Sequence, residues 1–332
     1  MPLLKSTQEM KACYSRLNIN TAFESFSSFV EDSQTKHLTP LIGSESVDYM
    51  QTWYDTYDPE NPTQEDITNQ LLLFQIQRCL TFYTLLDSTP TLLLEMGDNG
   101  LVEKSSDNTV AARLWPVDRL LDYLSDSADT FAENLLNFLE INKLNYSFWN
   151  DSLERQEARK MFVSSGSEVT KLIKLSEPRK MYLNMNQGLK RYEDLTIREM
   201  IGEPLFNEIK GQLADDSLSV DNETLLIYIK PVLIYSAFVD TISDMSVAVG
   251  NNGLRVINNQ DRISARNDSN AVQMQGIMTK YKGYAATYEG LLRNFLNDNF
   301  QNYPLFVPPV LATDAGNRPK FPENINRKSF RL

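Results

Sequence analysis

The chain has 332 residues, 42% hydrophobic and 23% charged, the balance of a folded protein long enough for about two domains and outside the disordered range. Its formal charge of −12 disfavours a surface that neutralises phosphate non-specifically, because such binding draws on clustered Lys and Arg that release counterions. A single histidine, His37, excludes most triad, dyad and zinc-site readings, and Cys13 and Cys79 have no spacing that suggests a disulfide framework or a metal knuckle, so a reducing compartment is expected.

The N-terminus lacks a charged lead followed by a long apolar core, so no secretory signal is expected. From there the chain is written twice. Leu3-Leu4-Lys5-Ser6-Thr7-Gln8-Glu9 answers Phe162-Val163-Ser164-Ser165-Gly166-Ser167-Glu168 at an offset of 159, which also carries Leu41-Ile42-Gly43 onto Met200-Ile201-Gly202. The offset then becomes 153, laying Gly97-Asp98-Asn99-Gly100-Leu101 over Gly250-Asn251-Asn252-Gly253-Leu254. A loop from Asp55 to Pro62, longer than its equivalent near Asp215-Asp216, accounts for the change. A further slip aligns Leu135-Leu136-Asn137-Phe138 with Leu291-Leu292-Arg293-Asn294-Phe295, and the copies close on Tyr146 and Tyr303. Residues 1–150 and 162–307 are therefore read as homologous units, with 151–161 as linker.

In the first unit Ile67, Leu71, Phe74, Cys79, Phe82 and Leu86 recur at helical spacing, which predicts a helix buried on that stripe and ended by Pro90. Its counterpart runs from Asn222 to Val239. The most apolar stretch, Leu71 to Met96, is broken by polar residues and Pro90, so no bilayer span is expected. Alternation on both sides of Asn99-Gly100 and Asn252-Gly253 predicts two β-hairpins, since Asn and Gly accept the positive φ of tight turns. A hairpin is rarely stable alone, so these two, at Asn99, Gly100, Leu101 and at Asn252, Gly253, Leu254, are candidate docking elements. Val117 to Phe138, with Pro116 in the first turn, and Met274 to Phe295 predict a long amphipathic helix in each unit.

From Pro308 to Leu332 four prolines and no helical period predict an extended arm. Arg318, Lys320, Arg327, Lys328 and Arg331 stand against Asp314 and Glu323, five cations to two anions, so the arm suits an acidic neighbour. Pro308, Pro309, Arg318, Lys320, Arg327 and Lys328 join the hairpin residues as candidate contacts.

No motif carries catalysis, a cofactor or a metal. His37 lies in a polar stretch and reads as a solvated surface residue; Gly97-Asp98-Asn99-Gly100 lacks the Lys-Ser or Lys-Thr of a phosphate loop. Asp98, Glu103, Asp107 and Asn108 depart from calcium-loop spacing, and Asp215-Asp216 and Asp118 with Asp122 read as surface and cap residues. Lys280-Tyr281-Lys282-Gly283-Tyr284 mixes basic and aromatic residues as single-strand binders do, but its tyrosines fall on the predicted core stripe.

Phe162-Val163-Ser164-Ser165 through Ile201-Gly202-Glu203-Pro204-Leu205, the helix with Lys230-Pro231, the Asn-Gly hairpin and the closing Asn302-Tyr303-Pro304 resemble a helical family of Bacteroides phages and prophages whose members are encoded among capsid and tail genes. The resemblance, which extends to ring proteins of crAss-like phages, implies a structural virion protein with no cofactor. It implies a homo-oligomeric ring, of twelve subunits, in the head-tail connector or neck between portal and tail, assembled in the bacterial host cytoplasm. Partners would be the portal protein and adjoining connector or tail proteins, with phage DNA passing through the channel without specific binding, and no membrane. The first copy departs from the pattern, with Ser44-Glu45 where the second has Glu203-Pro204. The expected architecture is mainly α: two tandem helical-bundle units, each with a protruding β-hairpin, plus an extended C-terminal arm over 308–332. The rival readings are a tail-side structural protein, at tail completion or the hub, and an enzyme with an unfamiliar carboxylate site, which acids from both copies in one deep pocket would favour.

Overall fold

The computed structural model describes residues 2–18, 21–92, 94–97, 100–103, 114–245, 247–250, 253–256 and 271–306. In the first half, α1 (Thr7–Cys13) and α2 (Glu24–Ser33) lead through a π-helical turn at Gln34–Leu38 into α3 (Thr39–Ile42), α4 (Ser44–Thr56) and the long α5 (Gln64–Leu92). Strands β1 (Leu94–Gly97) and β2 (Gly100–Glu103) precede the long α6 (Leu114–Ile141) and a 3₁₀ turn at Lys143–Asn145. After α7 (Ser147–Asn150) and α8 (Leu153–Arg159) the order repeats: α9 (Gly166–Thr170), α10 (Pro178–Tyr192), a π turn at Glu193–Ile197, α11 (Arg198–Ile201), α12 (Glu203–Ala214), α13 (Val220–Met245), β3 (Val247–Gly250), β4 (Gly253–Val256), α14 (Ala271–Asp298) and a 3₁₀ turn at Phe300–Asn302. The chain is mainly helical, in two tandem units.

The same local chemistry starts, bends and closes both units. Ser6 and Ser165 cap α1 and α9 by accepting from the N–H of Glu9 and Glu168, whose carboxylates reach back to the N–H of Lys5 (2.6 Å) and Ser164 (2.8 Å). Each is a variant of the capping box, in which the serine satisfies a helix-end donor and the glutamate holds the N–H of the residue before the cap. The π turns fall at the same place, and the first residue of each holds the start of its unit: Gln34 Oε1 accepts the Leu3 N–H at 3.0 Å and Glu193 Oε1 that of Phe162 at 2.7 Å. Gly43 and Gly202 break the helix in a backbone region that essentially only glycine occupies, with φ 87° and 84°. Tyr146 and Tyr303, both buried, donate to the carbonyls of Thr68 (2.9 Å) and Asp221 (2.6 Å), latching the end of each unit onto the start of its central helix.

Two separate hydrophobic clusters follow from this plan. One draws on residues 3 to 149, with Leu72, Ile76 and Leu80 of α5 against Ala128, Leu135 and Leu139 of α6. The other draws on residues 162 to 306, with Leu225, Ile229 and Val232 of α13 against Ala285, Leu292 and Leu296 of α14. In each, α2 or α10 lies across the central helix. The strands form two antiparallel ladders, pairing Leu94 with Glu103 and Gly97 with Gly100, and Val247 with Val256 and Gly250 with Gly253.

Several expectations are corrected. Pro90 does not end α5, which runs on to Leu92; a proline in the last turn removes one N–H from a helix already about to stop. Of the predicted α5 stripe Cys79 and Phe82 are buried, but Ile67, Leu71 and Phe74 are exposed and Leu72, Ile76 and Leu80 are buried instead, because three successive leucines leave periodicity no way to choose a face. The most apolar helix is α13: Val220–Asp244 is long and apolar enough by composition to cross a membrane, yet 72% of its apolar 18-residue window is buried inside the protein. Tyr281 packs on Phe238, whereas Tyr284 is exposed and so departs from the predicted core stripe.

Candidate functional site at the junction of the two repeats

Every fourth residue along the outer face of α6 reaches the second unit. Ser125 donates to Glu177, Asp129 accepts the N–H groups of Arg179 and Lys180 at 2.6 and 2.7 Å, and Glu133 accepts those of Gly166 and Ser167 at 3.2 and 2.8 Å. Asn137 then donates to the Ser167 hydroxyl at 3.1 Å. Two carboxylates one turn apart on one helix therefore cap the first turns of α9 and α10, where orphan N–H groups and the helix dipole favour negative charge. Both acids are buried. Burial pushes the Asp129 carboxyl up to about 6 against the downward pull of its two amide bonds. The approach is close: a Cβ on Gly166 would stand 2.5 Å from the carbonyl carbon and oxygen of Pro178.

A second tie runs through the linker helix. Arg155 on α8 is 1% exposed and grips Glu140 of α6 with Nε at 2.8 Å and Nη2 at 3.3 Å, while Nη2 also reaches Asp216 at 3.3 Å. Its remaining donors meet the carbonyl and side-chain oxygen of Asn150. Asp216, in the turn before α13 at φ 55°, also binds Lys143, and Arg159 stands 3.6 Å away. Lys143 above all, with Arg159 and Arg155 adding, holds the Asp216 carboxyl below the usual range. The aspartate read from sequence as a surface or cap residue is thus the point where the first unit and the linker fasten to the second.

Beside these ties lies a cleft of about 540 Å³, lined by acids of both units, among them Glu140 and Glu168. Those two carboxylates are already engaged: Glu140 holds Arg155 and the Trp149 N–H, and Glu168 holds the Ser164 N–H and Lys230. Among the described residues no three His, Cys, Asp or Glu side chains converge as a metal ion requires.

His37 is not a solvated surface residue. Its ring stacks on Tyr83 with centroids 4.1 Å apart, and Nε2 lies 3.1 Å from Asp87 Oδ2, the same oxygen that accepts from Ser33 at 3.0 Å. Ser, His and Asp meet here, but the serine proton goes to the carboxylate and not to the imidazole, so the wiring of a nucleophilic triad is missing. The second unit keeps the acid: Tyr192 donates to Asp240 at 3.0 Å.

Of the residues singled out from sequence, Gly100 and Leu101 open β2 opposite Gly97 and Met96, and Gly253 and Leu254 open β4 opposite Gly250 and Val249. Asn99, Asn252, Pro308, Pro309, Arg318, Lys320, Arg327 and Lys328 lie outside the described residues. Sequence reasoning missed Asp129, Glu133 and Arg155. The available signal was a run of polar residues at four-residue spacing, Ser125, Asp129, Glu133 and Asn137, on a helix that already had its apolar stripe elsewhere.

Comparison with curated proteins and with solved structures finds no match. One family model matches twice, at residues 38–159 and 197–315, and its two matches begin 159 residues apart, the spacing that also relates the two π turns and the two glycines. Both units carry the same family signature, and the chain belongs to DUF6712, a family of unknown function.

Proposed function

We propose that the protein is a structural component of a tailed phage virion, working without catalysis as a homo-oligomeric ring in the head-tail connector between portal and tail, around a channel for the genome. One observation carries the self-assembling part of this reading: two copies of one unit meet head to tail, and the faces corresponding to that junction at the two ends of the chain have no neighbour within it among the described residues. Head-to-tail contacts close into rings when the rotation permits. The placement in a virion rests on the family resemblance in the sequence. The excess of acidic side chains suits a channel that DNA slides through.

Exposed apolar residues supply further contact surface. Ile67, Leu71 and Phe74 on α5 and, at an offset of 153, Val220 and Ile227 on α13 lie exposed at corresponding positions of both units. Such repeated apolar exposure fits partner contact better than chance scatter. The ladders β1–β2 and β3–β4, as protruding hairpins, and residues 308–332, as an extended arm, are proposed as contacts to neighbouring subunits or adjoining rings. Electron microscopy and native mass spectrometry of the purified chain test the proposal. Closed rings support it; a monomer at all concentrations overturns it. Removing 308–332 should weaken assembly and leave helical content unchanged.

A further inference from the structure

The two units place equivalent helices in equivalent positions, but among the described residues only one of these helices has a neighbour on its outer face. On α6 that face carries Ser125, Asp129, Glu133 and Asn137, and the second unit covers it. At an offset of 157, which also relates Tyr146 to Tyr303, the same positions on α14 are Lys282, Ala286, Gly290 and Asn294, all exposed. The acids are gone. Gly276, Gly283 and Gly290 instead recur every seven residues, and among the described residues, the helix's own neighbouring backbone aside, no heavy atom lies within 4 Å of where a Cβ would stand on each. Glycine inside a helix costs stability relative to alanine, because the unfolded chain has more freedom to lose, and close approach of another backbone is what offsets that loss.

The opposite end of the chain has changed in step. Where the second unit offers Gly166 and Ser167 to Glu133, the first has Thr7 and Gln8. The Thr7 hydroxyl turns inward to the Thr21 carbonyl at 2.9 Å, and Gln8 is exposed. Neither end keeps the chemistry of the carboxylate caps, so a contact between them has to be made differently, by packing on a smooth helix.

The geometry points to a second copy of this chain as the occupant of the α14 face, seated by the α1 and α2 end of its first unit. The junction inside the chain shows how one unit is covered by the next, and a second copy supplies the next unit beyond α14. The inference rests on the self-assembling reading above and names the surface that reading uses.

Two single-cysteine variants, Asn294→Cys and Gln8→Cys, test it directly, because their internal counterparts Asn137 and Ser167 are in hydrogen-bond contact at 3.1 Å. Mixed under mild oxidation, with the unsubstituted chain as the control for Cys13 and Cys79, the two variants should give a disulfide-linked dimer that neither gives alone. Gly283→Leu and Gly290→Leu should weaken self-association about tenfold or more, measured by mass photometry, while melting no earlier than the parent. Gly211→Leu, at an equally open position on α12, should assemble as before. Assembly by the parent that survives both leucine variants, without cross-linking, overturns this contact and leaves the ring reading standing. A parent that stays monomeric overturns both. An open head-to-tail dimer upholds the contact and removes the ring, and a cross-link from Asn294→Cys to a cysteine placed within 307–332 of the same chain overturns the second copy as occupant.

Discussion

The helices α6 and α14 stand at the same place in two copies of one unit and treat their outer faces in opposite ways. Both bury the same inner stripe, Ala128-Leu135-Leu139 and Ala285-Leu292-Leu296. On the outside α6 spends two buried carboxylates on the first turns of α9 and α10, whereas α14 presents glycine and alanine to the surroundings. Duplication therefore preserved what each unit needs to fold and released what it needs from its neighbour. Substitutions that distinguish folding parts from joining parts should show that division.

The largest effect is expected where the joint is tightest. Gly166→Ala places a methyl 2.5 Å from the backbone of Pro178, which cannot yield as a side chain could, so stability should fall by about 3 kcal/mol in urea unfolding. The open glycines give the opposite sign: Gly283→Ala should raise the stability of the dissociated chain by roughly 0.5–1 kcal/mol. A neutral Gly166→Ala would mean that α9 and α10 do not meet as closely as their backbones indicate.

Next come the acids. Asp129→Ala and Glu133→Ala each remove a cap that satisfies two backbone donors, at a cost of about 1–2 kcal/mol apiece, and the double variant should cost less than the sum because the acids serve one joint. Amide exchange at Ser167, Arg179 and Lys180 should quicken while the core of α13 stays protected. The same joint carries a pH signature. Asp129 has its pKa raised from 3.8 to about 6, so between those values the folded chain keeps a proton that the unfolded chain has released. This group alone makes the fold less stable as pH rises through that window. Asp216, held below its ordinary value, acts the other way: its contribution is present above 3.8 and is lost as pH falls further. Asp129→Asn should flatten the slope of stability against pH between about 4 and about 6, and the Asp129 carboxyl carbon should titrate by NMR with a midpoint near 6.

What could be read from residues alone follows the same division. The serine caps and the Gly43 and Gly202 breaks are local devices, and local devices leave letters at fixed spacing: Ser6 to Glu9 reappears as Ser165 to Glu168. The offset was therefore visible, including the shift at the loop between α4 and α5. The joint was not, because it pairs residues that differ between the copies, and Asp129 against the backbone of Arg179 leaves no pattern in either segment. His37 was misread for a related reason. Its polar neighbours in sequence are not its neighbours in space, where Tyr83 and Asp87 come from α5. On α5 itself, the choice between Leu71 and Leu72 as the buried leucine belongs to α2 and α6, which pack on it.

The smallest effect is the sharpest test of equivalence. Tyr146→Phe and Tyr303→Phe each delete one hydroxyl that donates to a carbonyl at the start of the central helix, and each should cost about 1 kcal/mol. Their absolute size matters less than their difference. The tyrosines are equally buried, they precede equivalent positions in the two cores, and their acceptors, Thr68 and Asp221, are related by the same 153-residue offset as the strands. If the units fold by one set of rules, the two losses should agree within a few tenths of a kcal/mol in denaturant unfolding. A cost confined to Tyr146 would show instead that the second unit depends on its latch less than the first, and that the copies have diverged in folding as well as in contact.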